Sequence, residues 1–483
     1  MNKTYLSYEQ FGAVGDGVND DILAIVACHE EANRTGTPVK TRDGAKYYIG
    51  GRNLTAVIKT DVDFGTSEFI IDDRNVESRT SFVFLIGSDY DTYNLDISEL
   101  HSKSDIIALP HDGCAFLRVF NSNQKIFIRK GLNQNPGSSK SDVFIVDENG
   151  RIETDLDWTY PQITHCAARR IDEKTITVSG GIFTTIANQE ESFYNYYNRG
   201  FQICRDNVRI KNITHFVKGE LDHGAPYNGF LSVSECAFVS IEDCLLTPHF
   251  TYRTPAASDP TKTVSMGTYD LVIYGSIKVS LIRITQTIDI MDNRYWGLMG
   301  SNFCKEMVLE DCIISRFDAH MGVTHVRLSG CTLGHQCLNL IGCGSFLLEN
   351  CKLYGKQLIN LRSDYGSTWR GDATIRNCEW LPISAQACIF SGNNTADHDF
   401  GYTCYMPENI LIDGLKILDG KFGINQEKLY YLFTYDWHYS PEKPYKYVTT
   451  KKITVSNVFA ESGREIELCE KPELYEGIEF VKR

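Results

Sequence analysis

The sequence predicts an all-β solenoid, and three observations carry that reading. The first is a repeat. Nine segments alternate apolar and polar residues: "VRIKNI" from Val208, "VSIEDC" from Val239, "VSLIRI" from Val279, "VLEDC" from Val308, "VRLSGC" from Val326, "FLLENC" from Phe346, "ATIRNC" from Ala373, "ILIDGL" from Ile410 and "ITVSNV" from Ile453. Period-two alternation marks a strand with one buried face. The second is the pair of residues closing each segment, an Asn, Asp, Gly or Arg that bends the chain and then a small apolar residue. The third is spacing. Leu309, Leu328, Leu348 and Ile375 hold the same place in successive segments, 19, 20 and 27 residues apart, which is the scale of coils stacked on one another.

At the N-terminus, residues 21–34, "DILAIVACHEEANR", have helical spacing and predict a cap over the open end of the stack, protecting the first coil's edge. They sit inside "FGAVGDGVNDDILAI" (residues 11–25), followed by "TRDGAKYYIGG". This opening resembles that of the pectate-lyase-like superfamily, with Ile22 in place of the usual Thr. The resemblance implies a right-handed parallel β-helix over the whole chain, with a cap in about 1–50, and a structural role for Asp16, Asp20 and Asp21. Glycosidases, lyases and phage tail spikes share this opening, so it implies fold rather than chemistry. Three longer gaps predict excursions from the coils, at about 129–160 with a hairpin over Asn149-Gly150, at 249–270 and at 419–450.

Cys244, Cys312, Cys331, Cys351 and Cys378 share the inward position after the bend, which predicts a ladder of free core thiols and a reducing compartment. No CxxC pair occurs among the 16 cysteines, so a zinc ribbon is not expected. No metal and no redox cofactor is implied. The net charge of -14 argues against nucleic acid as a partner. No apolar run is long enough for a membrane helix, and "MNKTYLSYEQ" has no signal-type apolar stretch. The expectation is a cytoplasmic protein, or a secreted one whose signal has been removed. The oligomeric state is left open.

Polar residues are densest over 285–372, where "ISRFDAHMG" (residues 314–322) puts an arginine, a carboxylate and an imidazole within five positions. Counted from the ladder position, Asp289 lies 8 beyond Leu281 and Asp318 lies 9 beyond Leu309, while Asp292 and His320 each lie 11 beyond. Stacking is therefore expected to gather them on one wall. Adjacent coils lie roughly 5 Å apart, and glycosidase carboxyl pairs need about 5–5.5 Å or about 6.5–9.5 Å. Asp318, Asp292, Asp311 and His320 are the candidate catalytic groups. Asp289, Arg294, Trp296, Arg316, His335, Asn339, Arg362, Asp364, Trp369 and His223 are the candidate substrate contacts. The tryptophans would offer sugar platforms and the arginines donors to hydroxyls or a carboxylate. Tyr227, Asn228, His249, Tyr252 and Arg253 are secondary binding candidates. Asp311 sits at the bend, which argues for a turn role, but its seven-residue spacing to Asp318 resembles the aspartate pair of family 136 lacto-N-biosidases.

The expected function is a glycoside hydrolase acting on a carbohydrate with an aspartate pair. A polysaccharide lyase or epimerase on a uronate polymer, using Arg316, Arg362 and His320, is the second class. A carbohydrate-binding or phage-type spike protein is the third.

Overall fold

The computed structural model describes residues 5–221, 224–384, 387–392, 401–420, 430–434 and 448–483. Strand takes 52% of the described residues and helix 5%, so packing here means strand on strand. The chain winds as a right-handed parallel β-helix. Its register follows the repeat: Ile210, Ile241, Leu281, Leu309, Leu328, Leu348, Ile375, Ile412 and Val455 are matched from coil to coil. All nine are buried and form one internal row.

The bend has a single backbone cause. Asn212, Asp243, Arg283, Asp311, Gly330, Asn350, Asn377, Gly414 and Asn457 close the nine segments, and all nine have positive φ, between 49° and 83°. That left-handed conformation favours glycine and is tolerated by Asn and Asp, which is why these types recur there. It turns the next residue inward. Cys244, Cys312, Cys331, Cys351 and Cys378 are at most 2% exposed, and each thiol lies 3.1–3.4 Å from the carbonyl two residues before it. None of the sixteen cysteines is in a disulfide.

The N-terminal helix α1, Ile22–Thr35, covers the first coil with Ile22, Ile25, Cys28, His29 and Ala32 buried. Asn33 pins it there, donating to Val57 O at 2.7 Å and accepting from Lys59 N at 2.9 Å. The aspartates before it are local fasteners. Asp21 accepts the Val14 and Gly15 amides, Asp16 those of Val18 and Asn19, and Asp20 that of Ile22.

The first excursion is larger than the sequence suggested. Strands Tyr93–Asn94, Ala115–Ile126, Ser138–Val146 and His165–Arg170 form a separate four-stranded antiparallel sheet. Its strand Ala115–Ile126 opens with "AFLRV", buried on both faces; a continuous apolar run does not distinguish pairing within an insert from pairing within a coil. The expected turn is present, closed by the Val146–Ile152 bridge with Gly150 at φ 80°. Lys305 nails this insert to the helix wall. Its ammonium, with no exposure, holds Asp142 at 2.5 Å and Asp157 at 2.9 Å. The second excursion contains an antiparallel hairpin, Arg253–Pro255 with Thr263–Ser265. Much of the third lies outside the described residues. Within its expected span, Tyr430–Phe433 is a coil strand, paired with Cys388–Ser391.

Candidate functional site

Strand Ile313–Ser329 carries "ISRFDAHMG". A register shift follows Ile314, and beyond it alternation is strict. Phe317 and Ala319 enter the core, so Arg316, Asp318 and His320 face outward. That outer face is covered by neighbouring side chains. Asp318 has no exposure; the Tyr269 hydroxyl donates to it at 2.6 Å, Arg316 pairs with it at 2.7 Å and Arg362 lies at 3.6 Å. Burial disfavours its charge, but Arg316 and then Arg362 hold its carboxyl below the usual range. Arg316 is itself fixed, donating to Gln336 at 2.7 Å with its guanidinium 4.4 Å from the Trp296 ring.

Glycine makes this contact possible. Ser301 is in register with Ala319, so Gly300 lies beside Asp318. A Cβ at Gly300 would fall 2.9 Å from the Tyr269 ring. Its absence lets Tyr269 cross the intervening coil to reach Asp318.

Above this buried layer opens a cleft of about 450 Å³. Its floor includes Tyr269, Tyr274, Asn302, His320 and Arg362, and its rim is built by 133–135, Tyr194 and 265–267. Arg129 comes from the insert and also lines it. Asp364 joins the two arginines, accepting from Arg129 at 2.8 Å and from Arg362 at 2.8 Å. Arg129 Nε makes that bond, while its two terminal nitrogens make no hydrogen bond among the described residues. His320 Nδ1 lies 3.0 Å from Asn302 Oδ1. With that oxygen accepting, Nδ1 carries the proton and Nε2 presents its lone pair. Burial, then Arg362, brings the imidazole down to about 3, so it is neutral. Tyr274 accepts from Arg118 at 3.0 Å, which leaves its own hydroxyl proton to be donated. Among the described residues no Asp or Glu lines the cleft.

The other expected residues divide sharply. Arg316, Arg362, Asp364 and Trp296 join the cluster around Asp318 and His320. Asn339 is in register with Asp318 and accepts from Asn360 at 2.7 Å, continuing the same outward row. Asp292 does not join them through any hydrogen bond or ion pair. It is clamped by Arg294 at 2.6 Å, in a turn that Asp289 opens by accepting the Met291 amide. Equal counting from the ladder failed because 287–297 leaves the coil, so Gly300 rather than an aspartate comes beside Asp318. His335 holds the carbonyl of Ile290 in that loop at 3.1 Å. Trp369 is 1% exposed and packs edge-on against Phe346 inside the helix, so it offers no platform. Asp311 is exposed at the left-handed bend, apart from buried Asp318. His223 lies outside the described residues. Asn228 lines the cleft, whereas His249 and Tyr252 are buried on Glu220 at 2.8 and 2.5 Å.

Arg129, Tyr269, Tyr274 and Asn302 were not singled out from the sequence. The signal for Arg129 was its place in a predicted excursion, since loops on a rigid scaffold carry specificity.

No family model and no curated protein matches the sequence. Solved structures do. The tailspike gp49 of Pseudomonas phage LKA1 aligns over 94% of this chain and 81% of its own, with TM-score 0.57 and 13% identity. The tailspike gp61 of Pseudomonas phage phi297 aligns over 95% and 81%, with TM-score 0.56 and 11% identity. The gp54 tailspike of Acinetobacter baumannii bacteriophage AP22, solved in complex with A. baumannii capsular saccharide, aligns over 99% and 79%, with TM-score 0.51 and 10% identity. The chain shares the parallel β-helix fold of these tailspikes. At such identities the likeness shows the fold alone.

Proposed function

We propose that this protein binds and cleaves an acidic polysaccharide by β-elimination in the cleft above Asp318. One observation carries the reading. The cleft is lined by two arginines, a neutral histidine and several tyrosines, with no carboxylate among the described lining residues. Guanidinium groups match a planar carboxylate. Arg129 and Arg362 would take the sugar's carboxylate and withdraw charge from the carbon beside it. His320 Nε2 takes the proton on that carbon, the C–O bond one carbon further breaks, and a C=C bond forms. The leaving oxygen takes a proton from Tyr274. A bound carboxylate also pairs with Arg362, one of the charges that depress His320, so substrate makes the base stronger when it is needed. The saccharide held by the AP22 tailspike supports a carbohydrate ligand on this fold.

Hydrolysis is the second reading, favoured by Arg362 touching both Asp318 and Asp364. Incubation with polygalacturonate, alginate and hyaluronate decides between them. Elimination gives ultraviolet absorbance from the unsaturated product with each new reducing end. Reducing ends without that absorbance would establish hydrolysis. Binding of a polymer with neither product would leave a recognition protein.

A further inference from the structure

Phe193 and Tyr194 stand at the rim of the cleft with no core to fill. Phe193 is 66% exposed and Tyr194 42%, and their rings meet nearly edge to face at 6.2 Å. Tyr194 lines the cleft and has φ 51°. That left-handed conformation strains a bulky residue. The surrounding polar groups enforce it. The Tyr194 hydroxyl donates to Asn133 Oδ1 at 2.9 Å and the Phe193 amide to Asn195 Oδ1 at 2.8 Å. Asn195 Nδ2 donates to Glu191 O and Glu190 Oε2, and Thr254 donates to Ser192 O at 2.6 Å. Leu132, 37% exposed, adjoins Asn133, and its carbonyl accepts from Ser258. The loop's polar groups are tied down by three chain segments, yet its two aromatic faces stay in water. Folding gains little from that arrangement, because an aromatic ring stabilises by being covered.

We infer that Phe193 and Tyr194 form an outer subsite that stacks a sugar ring of the polysaccharide where it leaves the cleft. The inference rests on the function proposed above. Continuity identifies the occupant: Tyr194 belongs to cleft and rim alike, so the ring next to the one held between Arg129 and Arg362 reaches Phe193. Glu190, the nearby carboxylate, is turned to Tyr197 at 3.0 Å and to Asn195. The two exposed ring faces, with Glu191 exposed beside them, suit the C–H face of a sugar.

Binding of polygalacturonate, alginate and hyaluronate by calorimetry and affinity electrophoresis tests this without requiring turnover. Phe193→Ala should weaken the polymer that binds by about 3- to 10-fold, the scale of one aromatic contact. The loss should grow from disaccharide to hexasaccharide. Phe193→Trp should restore affinity and Phe193→Leu should not, since leucine keeps apolar bulk but has no ring face. Phe459→Ala, which removes an aromatic side chain that is 59% exposed elsewhere, should bind as the parent does. Polymer binding by Phe193→Ala or Phe193→Leu at parental strength would overturn the subsite and leave the cleft reading intact. Failure of the parent to bind any of the three polymers would overturn the cleft reading and the subsite with it.

Discussion

Replacing Asp318 with Asn keeps the side chain's size and removes one negative charge from beneath two guanidinium groups. Asp318 has no exposure, and Arg316 and Arg362, only 4% and 9% exposed, lie 2.7 and 3.6 Å away. Water cannot replace the lost charge there. Breaking a buried pair by removing one partner costs about 3–5 kcal/mol. With an unfolding entropy of about 2.1 cal/mol/K per residue, a chain of 483 residues unfolds with about 1.0 kcal/mol/K. The expected fall in Tm is therefore about 3–5 °C, read by differential scanning fluorimetry. The pH dependence has a definite sign. The native carboxyl titrates below its unfolded value of about 3.9, so its stabilisation is complete above that value and is lost as pH falls through the native one. The gap between parent and variant should hold from neutral pH to about 4 and close below it. Asp311→Asn is the control. Asn350 and Asn377 already occupy the same left-handed position, so the change should stay within about 0.5 kcal/mol. An unchanged Tm with lost activity in Asp318→Asn would refute the buried anchor and make Asp318 a reacting carboxylate.

Gly300→Ala should push the Tyr269 ring off Asp318, because the new Cβ falls 2.9 Å from it; overpacking of this kind costs about 1–3 kcal/mol, and thermal melts with turnover assays would register both losses. Arg129→Ala should raise KM for an acidic polymer by at least about tenfold, the value of one charge-assisted contact at about 1.5–3 kcal/mol, with a smaller change in kcat. Arg129→Lys should recover only part of that loss, because an ammonium cannot pair a carboxylate through two parallel bonds. Thiol titration of the native protein should begin with the partly exposed Cys114 and Cys204 and reach all sixteen only after denaturation, since the core thiols are buried and burial pushes Cys244 and Cys343 up to about 12. Disulfides found instead would contradict the core ladder.

How far the sequence could be read depended on how local each cause is. The bend needs one left-handed residue, so Asn350 and Asn377 could be recognised in their own segments. The row at Leu309 and Leu328 needs only a period. Arg316, Asp318 and His320 could be put on one face because alternation along one strand suffices. Reasoning failed where position depends on a distant segment. Asp292 had the right count from Leu281, but a loop of unknown path lies between that ladder residue and the wall. Trp369 looked like a platform because nothing near it in sequence shows that Phe346 receives it inside. That Asp318 is buried follows from Tyr269, 49 residues away, and no property of "ISRFDAHMG" reports it.

The ion pair between Arg129 and Asp364 joins residues 235 apart. Lys305 reaches back 163 residues to Asp142. Contacts of such separation are slow to form, because chain closure must precede any stabilisation from them. Coils whose partners are sequence neighbours can wind as they emerge during synthesis, and the antiparallel insert can pair within itself. The cleft cannot exist at that stage. It is completed only when the coil bearing Lys305 gives the insert a place to dock and the coil bearing Arg362 and Asp364 captures Arg129. Closure of the cleft is thus expected late in folding. A chain stopped before residue 362 would hold a largely wound helix and an insert with no second arginine to face.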